Sequence, residues 1–223
     1  MKKTVALILI GQAPRQDTEA ELRRIVPGDL AIVQRGALDD LSRPEIEAAQ
    51  PVSDDDALFT RLADGTPVSI SKAVVHAGVQ RRLDELSAEG IDVAYLACTG
   101  SFEHLRYDGV LLLPSGVLLG VVGTSFRRGR LGVLVPLAEQ VGTMTERWNR
   151  DGVDVVAEAL QPGSDDATID EVVETLVARK PDMIVMDCMG YSSTDKARLR
   201  RQFDGPVVLA VSATARMMQE LVA

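Results

Sequence analysis

The sequence predicts an α/β fold, and three observations lead to that prediction. Short runs of β-branched and aliphatic residues alternate with longer amphipathic segments, a pattern typical of parallel strands covered by helices on both faces. The chain has 223 residues, of which 46% are hydrophobic. That is enough for a sizeable core, in one large domain or two of roughly 100 residues each. One strand-and-turn segment also occurs twice at a fixed spacing, which predicts two similar halves.

Nine short apolar runs predict strands that a parallel sheet buries on both faces. The first follows the charged opening Met1-Lys2-Lys3, which superficially resembles a signal peptide. Its apolar run is short and lacks a clear cleavage region, so we expect a buried strand and no leader. In chain order, the predicted strands are Val5–Ile10, Ala31–Gln34, Val68–Ser71, Val93–Ala97, Val110–Leu113, Arg130–Val135, Val153–Ala157, Met183–Asp187 and Val207–Val211.

Eight amphipathic segments between these runs predict helices. The acidic, proline-flanked stretch Pro44–Asp56 predicts a surface connection or mobile flap instead. In chain order, the predicted helices are Asp17–Val26, Ser53–Leu62, Ala73–Glu89, Val117–Arg127, Leu137–Arg150, Ile169–Ala178, Ser193–Phe203 and Ala213–Val222.

Charge and composition exclude several classes of function. The formal net charge of -9 would repel a phosphate backbone, so we expect no nucleic-acid partner. No apolar stretch approaches the roughly 18 residues that a membrane span needs, which predicts a cytoplasmic protein. Two cysteines in so long a chain make no disulfide framework, and in a reducing compartment both should be thiols.

The repeated segment contains both cysteines. Asp92-Val-Ala-Tyr-Leu-Ala-Cys98-Thr-Gly100 is matched 90 residues later by Asp182-Met-Ile-Val-Met-Asp-Cys188-Met-Gly190. Each copy follows a predicted helix and places its cysteine at the carboxyl end of a strand, where parallel sheets bind ligands. We therefore expect one half over residues 1–114 plus 207–223 and a second over residues 115–206. A pseudo-twofold relation between them would put the cysteines on opposite walls of one cleft.

Two opposed thiols suit the inversion of a carbon next to a carboxylate, because one group removes a proton and the other returns one. Thr99-Gly100 and Met189-Gly190 can supply backbone N–H groups to the substrate carboxylate. Packing is the ordinary role of a buried cysteine. Equivalent placement in both copies favours chemistry.

Three more residues are candidate substrate ligands, each with a structural alternative. Arg15, beyond the first strand, can hold a carboxylate or remain a solvated loop charge. Gln12 can bind the substrate or cap the turn, and Tyr191 can reach the substrate or pack at the rim. Asp187, on a buried strand, needs a partner and can orient the site or pair with a cation. The two histidines lack metal-ligand spacing, so we expect no metal.

Several short motifs agree in order and spacing with one known family. They are Leu9-Ile-Gly-Gln-Ala-Pro-Arg-Gln16, Leu41-Ser-Arg-Pro-Glu45, Leu131-Gly-Val-Leu-Val-Pro136 with the later Trp148, and the segment that ends at Gly190. Over essentially its whole length, the chain resembles the AroM family of the aspartate/glutamate racemase superfamily. The resemblance implies two flavodoxin-like, three-layer halves, no cofactor, a homodimer, and Cys98 and Cys188 as opposed acid and base.

The leading hypothesis is therefore a racemase or epimerase that acts on a small amino-acid-like carboxylate. A second hypothesis keeps the fold but uses one cysteine as a nucleophile, in a cis-trans isomerase or decarboxylase. A third is a non-catalytic small-molecule-binding or regulatory protein. The substrate and the reaction remain open at this point.

Overall fold

The structure is a computed structural model that describes residues 4–26 and 28–222. The chain forms two compact units. The first contains the described residues up to Ser115 together with those from Ala215 onward, and the second contains residues 116–214. The charged opening Met1-Lys2-Lys3 lies outside the described residues.

The first unit is built on a parallel sheet with strand order β2-β1-β5-β6. Strand β1 is central, and all but its first residue are buried, as its apolar sequence requires. Helix α3 packs on this sheet through Val75, Val79, Leu83 and Leu86, which helical periodicity places on one buried face. In chain order, the elements are β1 (Thr4–Leu9), α1 (Gln16–Arg23), β2 (Ala31–Gly36), α2 (Arg43–Ala48), a 3-10 turn (Asp54–Asp56), β3 (Ala57–Arg61), β4 (Pro67–Ser71), α3 (Lys72–Ala88), β5 (Val93–Leu96) and β6 (Val110–Leu112).

The helix predicted over Ser53–Leu62 is wrong. Its second half forms β3, which pairs antiparallel with β4, so the predicted strand over Val68–Ser71 belongs to a hairpin outside the parallel sheet. Leu58 and Ile70 are paired across the hairpin and both are buried in the apolar core of this unit. The turn contains Asp64-Gly65, with Gly65 at a φ of +85° that favours glycine. This dipeptide was the hairpin signal in the sequence.

The stretch Pro44–Asp56, which was predicted as a surface connection or mobile flap, contains most of α2. Ser42 precedes this short helix, and its backbone N–H donates to the Glu45 carboxylate at 2.8 Å. Pro44 stands in the first turn, where a missing N–H costs nothing. Ile46 is buried and anchors the helix to the core.

The second unit repeats the plan of the first around its own parallel sheet. Asp165 begins helix α6 by accepting the Thr168 N–H at 2.9 Å, and Ile169, Val173 and Leu176 form its buried face. In chain order, the elements are α4 (Pro114–Ser125), β7 (Gly129–Val135), α5 (Gln140–Trp148), β8 (Val153–Ala159), α6 (Asp166–Ala178), β9 (Met183–Met186), α7 (Ser193–Leu199), β10 (Val207–Leu209) and α8 (Ala210–Val222).

The strand order of the second sheet is β8-β7-β9-β10, which corresponds strand for strand to that of the first. In each sheet, the opening strand of the half is central and the strand before the cysteine lies beside it. The predicted fold class, α/β with two flavodoxin-like halves, is therefore confirmed. The remaining predicted elements agree with the structure within a few residues at their ends.

The end of the chain is divided differently from the sequence expectation, which assigned residues 207–223 to the first half. Strand β10 pairs with β9, with Leu209 opposite Met186, so it completes the second sheet. The chain rejoins the first unit within α8, at Ala215. No helix within the described part of the chain is long and apolar enough to cross a membrane.

Candidate active-site turns

In the first unit, the sheet brings the loop after β1 and the turn after β5 to the same edge. The two strands are parallel, with Ile8 opposite Leu96. The Ala97 N–H then donates to the Ile8 carbonyl at 2.7 Å, which continues the pairing past the end of β5. Cys98 and the Gly11–Arg15 loop therefore leave neighbouring strands at the carboxyl edge, where parallel sheets hold ligands.

The Cys98 turn holds its sulfur by a backbone hydrogen bond. The Gly100 N–H points at Cys98 Sγ, with N and S 3.3 Å apart. Cys98 is 9% exposed and Thr99 is 7% exposed. A Cβ on Gly100 would lie 3.3 Å from both Cys98 Sγ and Leu58 Cδ2, so the turn packs closely against the hairpin. The side chain of Cys98 is thus held within the apolar core of this unit.

The Cys188 turn in the second unit has the same hydrogen bond. The Asp187 N–H continues the sheet by donating to the Leu134 carbonyl at 2.9 Å. The Gly190 N–H then points at Cys188 Sγ, again at 3.3 Å. A Cβ on Gly190 would lie 2.9 Å from two ring carbons of Pro162, so only glycine fits there without a shift. Cys188 is half-buried, and so more exposed than Cys98.

The N–H groups of Gly100 and Gly190 affect the charge that each cysteine sulfur can carry. An N–H group aimed at sulfur favours the thiolate over the thiol, in the way that any hydrogen bond to a charged form does. In the structure the sulfurs of Cys98 and Cys188 are the acceptors for the Gly100 and Gly190 N–H groups. Each turn therefore places one backbone hydrogen-bond donor at its cysteine sulfur.

Tyr191 is a buried residue that anchors the Cys188 turn. It is 1% exposed, and its hydroxyl donates to the Leu160 carbonyl at 2.5 Å. Burial raises the pKa of Tyr191 well above its usual value, and negative charge on Cys188, Asp187 and Asp195 raises it further. The phenol is therefore neutral and holds the turn against the end of β8.

Asp187 is hydrogen-bonded to Trp148, a contact that was not predicted from the sequence. The Trp148 indole N–H donates to Asp187 Oδ2 at 2.8 Å, and both side chains are almost completely buried. The pair ties the Cys188 turn to the end of α5. The sequence contained two signals for this contact, a single tryptophan and a carboxylate on a buried strand. Because 39 residues separate them, the sequence did not indicate that they meet.

Gln12 holds the loop after β1 in place. Its Oε1 accepts the Ala63 N–H at 3.1 Å, its Nε2 points at the Leu38 carbonyl at 3.4 Å, and its backbone N–H points at the Arg61 carbonyl at 3.4 Å. These contacts join the loop to the hairpin and to the segment after β2. The side-chain amide is thus engaged at both ends by protein backbone.

Arg15 belongs to a small charged group at the same edge. Its Nε donates to Asp17 Oδ1 at 3.0 Å, and a second guanidinium nitrogen bridges to the other carboxylate oxygen. Arg61 Nη1 approaches the same carboxylate at 3.8 Å. Burial raises the pKa of Asp17, but the Arg15 hydrogen bond and charge outweigh it, so the pKa is lowered overall. Two guanidinium groups thus share one carboxylate, which leaves a net positive charge.

Asp39 was missed by the sequence analysis. Its carboxylate accepts the Ala13 N–H at 2.8 Å and the Gly36 N–H at 2.7 Å. It therefore clamps the loop after β1 to the end of β2. No motif in the sequence marks this role, because the two donors come from distant parts of the chain.

Two other features of the described residues lie apart from the cysteine turns or carry no metal site. Within residues 4–26 and 28–222, no three His, Cys, Asp or Glu side chains lie together as metal ligands would. A cavity of about 650 Å³ in the second unit is lined by Gly129, Val153 and Asp182, among others. These residues stand at or just before the amino ends of β7, β8 and β9, at the opposite edge of the sheet from Cys188.

The comparisons with known proteins agree with this architecture. The maleate isomerase Iso from Pseudomonas putida S16 has 15% identity and a TM-score of 0.65, with 100% of this chain and 93% of that chain covered. Glutamate racemase from Francisella tularensis subsp. tularensis SCHU S4, in complex with D-glutamate, has 9% identity and a TM-score of 0.64, with 99% and 81% covered. Unliganded arylmalonate decarboxylase has 13% identity and a TM-score of 0.62, with 100% and 93% covered. At these identities the likeness concerns the fold.

A search of the curated proteins found no match. The model of the AroM protein family matches residues 5–222, which is nearly the whole chain. The resemblance seen in the sequence motifs is therefore confirmed, and the chain belongs to the AroM family.

Proposed function

We propose that this chain is a cofactor-independent racemase or epimerase that acts on a small amino-acid-like carboxylate. Cys98 and Cys188 are its acid–base pair, and each acts on one face of the substrate carbon. The observation that carries the proposal is the repeated turn, in which Sγ receives the N–H of the glycine two residues later at 3.3 Å.

Chemistry makes this repetition meaningful. Inversion at a carbon needs a base on one face and an acid on the other, and the two exchange roles in the reverse direction. Each group must therefore be stable both as thiol and as thiolate. A turn that supports a thiolate is needed twice, and the chain has two.

The substrate carboxylate binds near Arg15 in this proposal. Arg15 and Arg61 share Asp17, and the net positive charge can attract an anion to the carboxyl edge of the first sheet. Backbone groups of Thr99 and Gly100, and of Met189 and Gly190, line the reacting carbon. Gln12 and Tyr191 do not contact the substrate in this proposal. They hold in place the loops that carry these groups, through hydrogen bonds to backbone atoms.

The solved structures support a carboxylate substrate. Among proteins with this fold, a maleate isomerase variant binds maleate, a glutamate racemase binds D-glutamate and a decarboxylase is named for arylmalonate, and all three compounds are small carboxylates. The amino-acid-like substrate is the one that suits two opposed thiols, because its α-carbon bears the proton that must change faces.

A second candidate function uses one cysteine, and the unequal burial of the thiols favours it. Cys188 is half-buried, whereas Cys98 is 9% exposed. In a cis-trans isomerase, the Cys188 thiolate would add to a carbon–carbon double bond conjugated with a carboxylate. Rotation about the resulting single bond and loss of the thiolate would give the other isomer. A decarboxylase would use Cys188 to return a proton after loss of CO₂.

Solvent deuterium exchange tests the leading proposal. Both enantiomers of glutamate, aspartate and other amino acids are incubated in D₂O with the wild type, Cys98→Ser and Cys188→Ser, and α-deuterium is followed by mass spectrometry. We expect racemisation to fall by at least about 100-fold in each variant, the usual contribution of a positioned acid or base. Urea unfolding of both variants provides the control for folding.

Other outcomes of this experiment identify the alternatives. Racemisation that survives in both variants contradicts the acid–base pair. Turnover of maleate or an arylmalonate that is lost only in Cys188→Ser supports the one-cysteine reaction. Binding of a carboxylate without any turnover, combined with two thiols of ordinary pKa, supports a binding module.

A further inference from the structure

The two turns differ at the residue that precedes the cysteine. Cys98 follows Ala97, whereas Cys188 follows Asp187. Asp187 is 1% exposed, which disfavours its charged form, whereas the hydrogen bond from Trp148 favours that form. A buried carboxylate one residue away opposes a second negative charge on Cys188, and low solvent exposure weakens the screening.

The other titratable groups around Cys188 act in the same direction or are neutral. Tyr191, on the far side of the turn, is buried and uncharged at neutral pH. Asp195 lies in the first turn of α7 and accepts hydrogen bonds from the Ser192 backbone N–H and hydroxyl at 2.8 Å each. Cys188, Asp187 and Asp195 all act electrostatically on Tyr191, so these four groups share one local field.

The surroundings of Cys98 within the first unit are mainly apolar, and burial of this kind disfavours a thiolate. For Cys98 to ionise first, the buried charge of Asp187 must therefore disfavour the Cys188 thiolate more strongly. Leu58 and Phe102 pack around its turn, and His76 from α3 stacks on Phe102 with ring centroids 6.4 Å apart. His76 Nε2 is hydrogen-bonded to the Glu103 carbonyl at 2.7 Å. Glu103 and His104 nearby are exposed, so water screens their charges.

We propose that Asp187 is a positioning residue that makes the two thiols unequal, so that Cys98 ionises first and Cys188 keeps its proton. This rests on the proposed function and assigns its roles. In the resting enzyme the Cys98 thiolate is the base. It takes the α-proton, and the C–H electron pair moves onto the substrate carboxylate. Cys188 then donates its proton to the opposite face and becomes the thiolate.

Alkylation with iodoacetamide as a function of pH measures the two ionisations separately, with each cysteine followed by peptide mass spectrometry. The pH midpoint is compared rather than the rate, because burial changes the maximal rate of each thiol. In the wild type we expect the lower midpoint at Cys98. In a Cys98→Ser background, Asp187→Asn should lower the Cys188 midpoint by about one unit, which is about tenfold more thiolate below the midpoint.

The first turn supplies a matched control. In a Cys188→Ser background, Ala97→Asp should raise the Cys98 midpoint, and the neutral Ala97→Asn should leave it nearly unchanged. Trp148→Phe is a second test of the same charge, because loss of the indole N–H favours neutral Asp187 and should also lower the Cys188 midpoint.

An unchanged Cys188 midpoint in Asp187→Asn overturns the inference, as does a wild-type Cys188 midpoint below that of Cys98. Alkylation requires no substrate, so these outcomes are independent of deuterium exchange. If no α-deuterium exchange is found, the proposed racemase function fails. The difference between the two thiol midpoints can still be measured by alkylation.

Discussion

The two cysteine turns have the same backbone geometry but different surroundings. In both, a glycine N–H points at the sulfur from 3.3 Å. Leu58 and Phe102 pack around the first turn, whereas Asp187, Tyr191 and Pro162 surround the second. The comparison distinguishes what the two turns share from what is specific to each unit. The Cys-X-Gly repeat sets the position of the sulfur, and residues specific to each unit set its charge and exposure.

The same contrast extends to the connections between strands. In the second unit, the chain passes from β8 through α6 to β9. In the first unit, α2 and the β3–β4 hairpin are inserted before α3. Leu58 of the hairpin packs against Gly100, beside Cys98. The two units therefore share the order of their sheet strands, and the inserted hairpin is specific to the first.

The largest expected effect on the free energy of unfolding is that of Trp148→Phe. The change removes the hydrogen bond to a buried carboxylate and leaves space beside it, which should cost about 3 kcal/mol of unfolding free energy. Tyr107→Phe is the control in the first unit, because it removes a hydroxyl bond to the Ile91 carbonyl from a half-buried ring. Urea unfolding should show a clearly smaller loss for Tyr107→Phe, and equal losses would argue against a special role for the Asp187 pair.

A smaller effect should distinguish the two glycines. Gly190→Ala places a Cβ against the rigid ring of Pro162 and should destabilise the protein by about 1–3 kcal/mol. Gly100→Ala contacts Leu58 and Phe102 at 3.3–3.4 Å, where a flexible leucine can yield. We therefore expect Gly100→Ala to unfold at a higher urea concentration than Gly190→Ala. The reverse order would contradict the difference in packing between the turns.

The smallest effect concerns stability at high pH. The folded-state pKa of Tyr191 lies above its unfolded value, chiefly because of burial. Its contribution to stability is therefore fully present below about pH 10, the unfolded pKa, and is lost as the pH rises from there toward the folded value. Between pH 8 and pH 10.5, wild-type unfolding free energy should fall more steeply than that of Tyr191→Phe. Parallel slopes would show that Tyr191 ionises as easily folded as unfolded.

Much of the fold could be predicted from sequence because the parallel strands are buried on both faces and therefore form continuous apolar runs. Residues 57–61 were the exception, since Leu58 and Thr60 are buried alternately within a segment that also suits a helix. The Asp64-Gly65 turn would have resolved the ambiguity. The Ser42-Arg-Pro-Glu45 sequence likewise marked the start of α2.

The candidate site was predictable only where it repeats. Cys98 and Cys188 were selected through their common offset, and both turns contain the same N–H to sulfur hydrogen bond. Local sequence carries no information on the contact between Trp148 and Asp187 or on the double contact of Asp39, because tertiary packing creates both. It also could not show that Gln12 and Tyr191 bind backbone carbonyls through their polar groups.

A crystal structure with a bound amino acid would test the central claim most directly. The probe is glutamate, or whichever amino acid shows the fastest α-deuterium exchange, at a concentration that saturates that exchange. The account predicts both sulfurs within about 3.5 Å of the same α-carbon, one on each face, which is near-attack distance. A substrate that contacts only one sulfur, or an α-carbon remote from both, would contradict the acid–base pair.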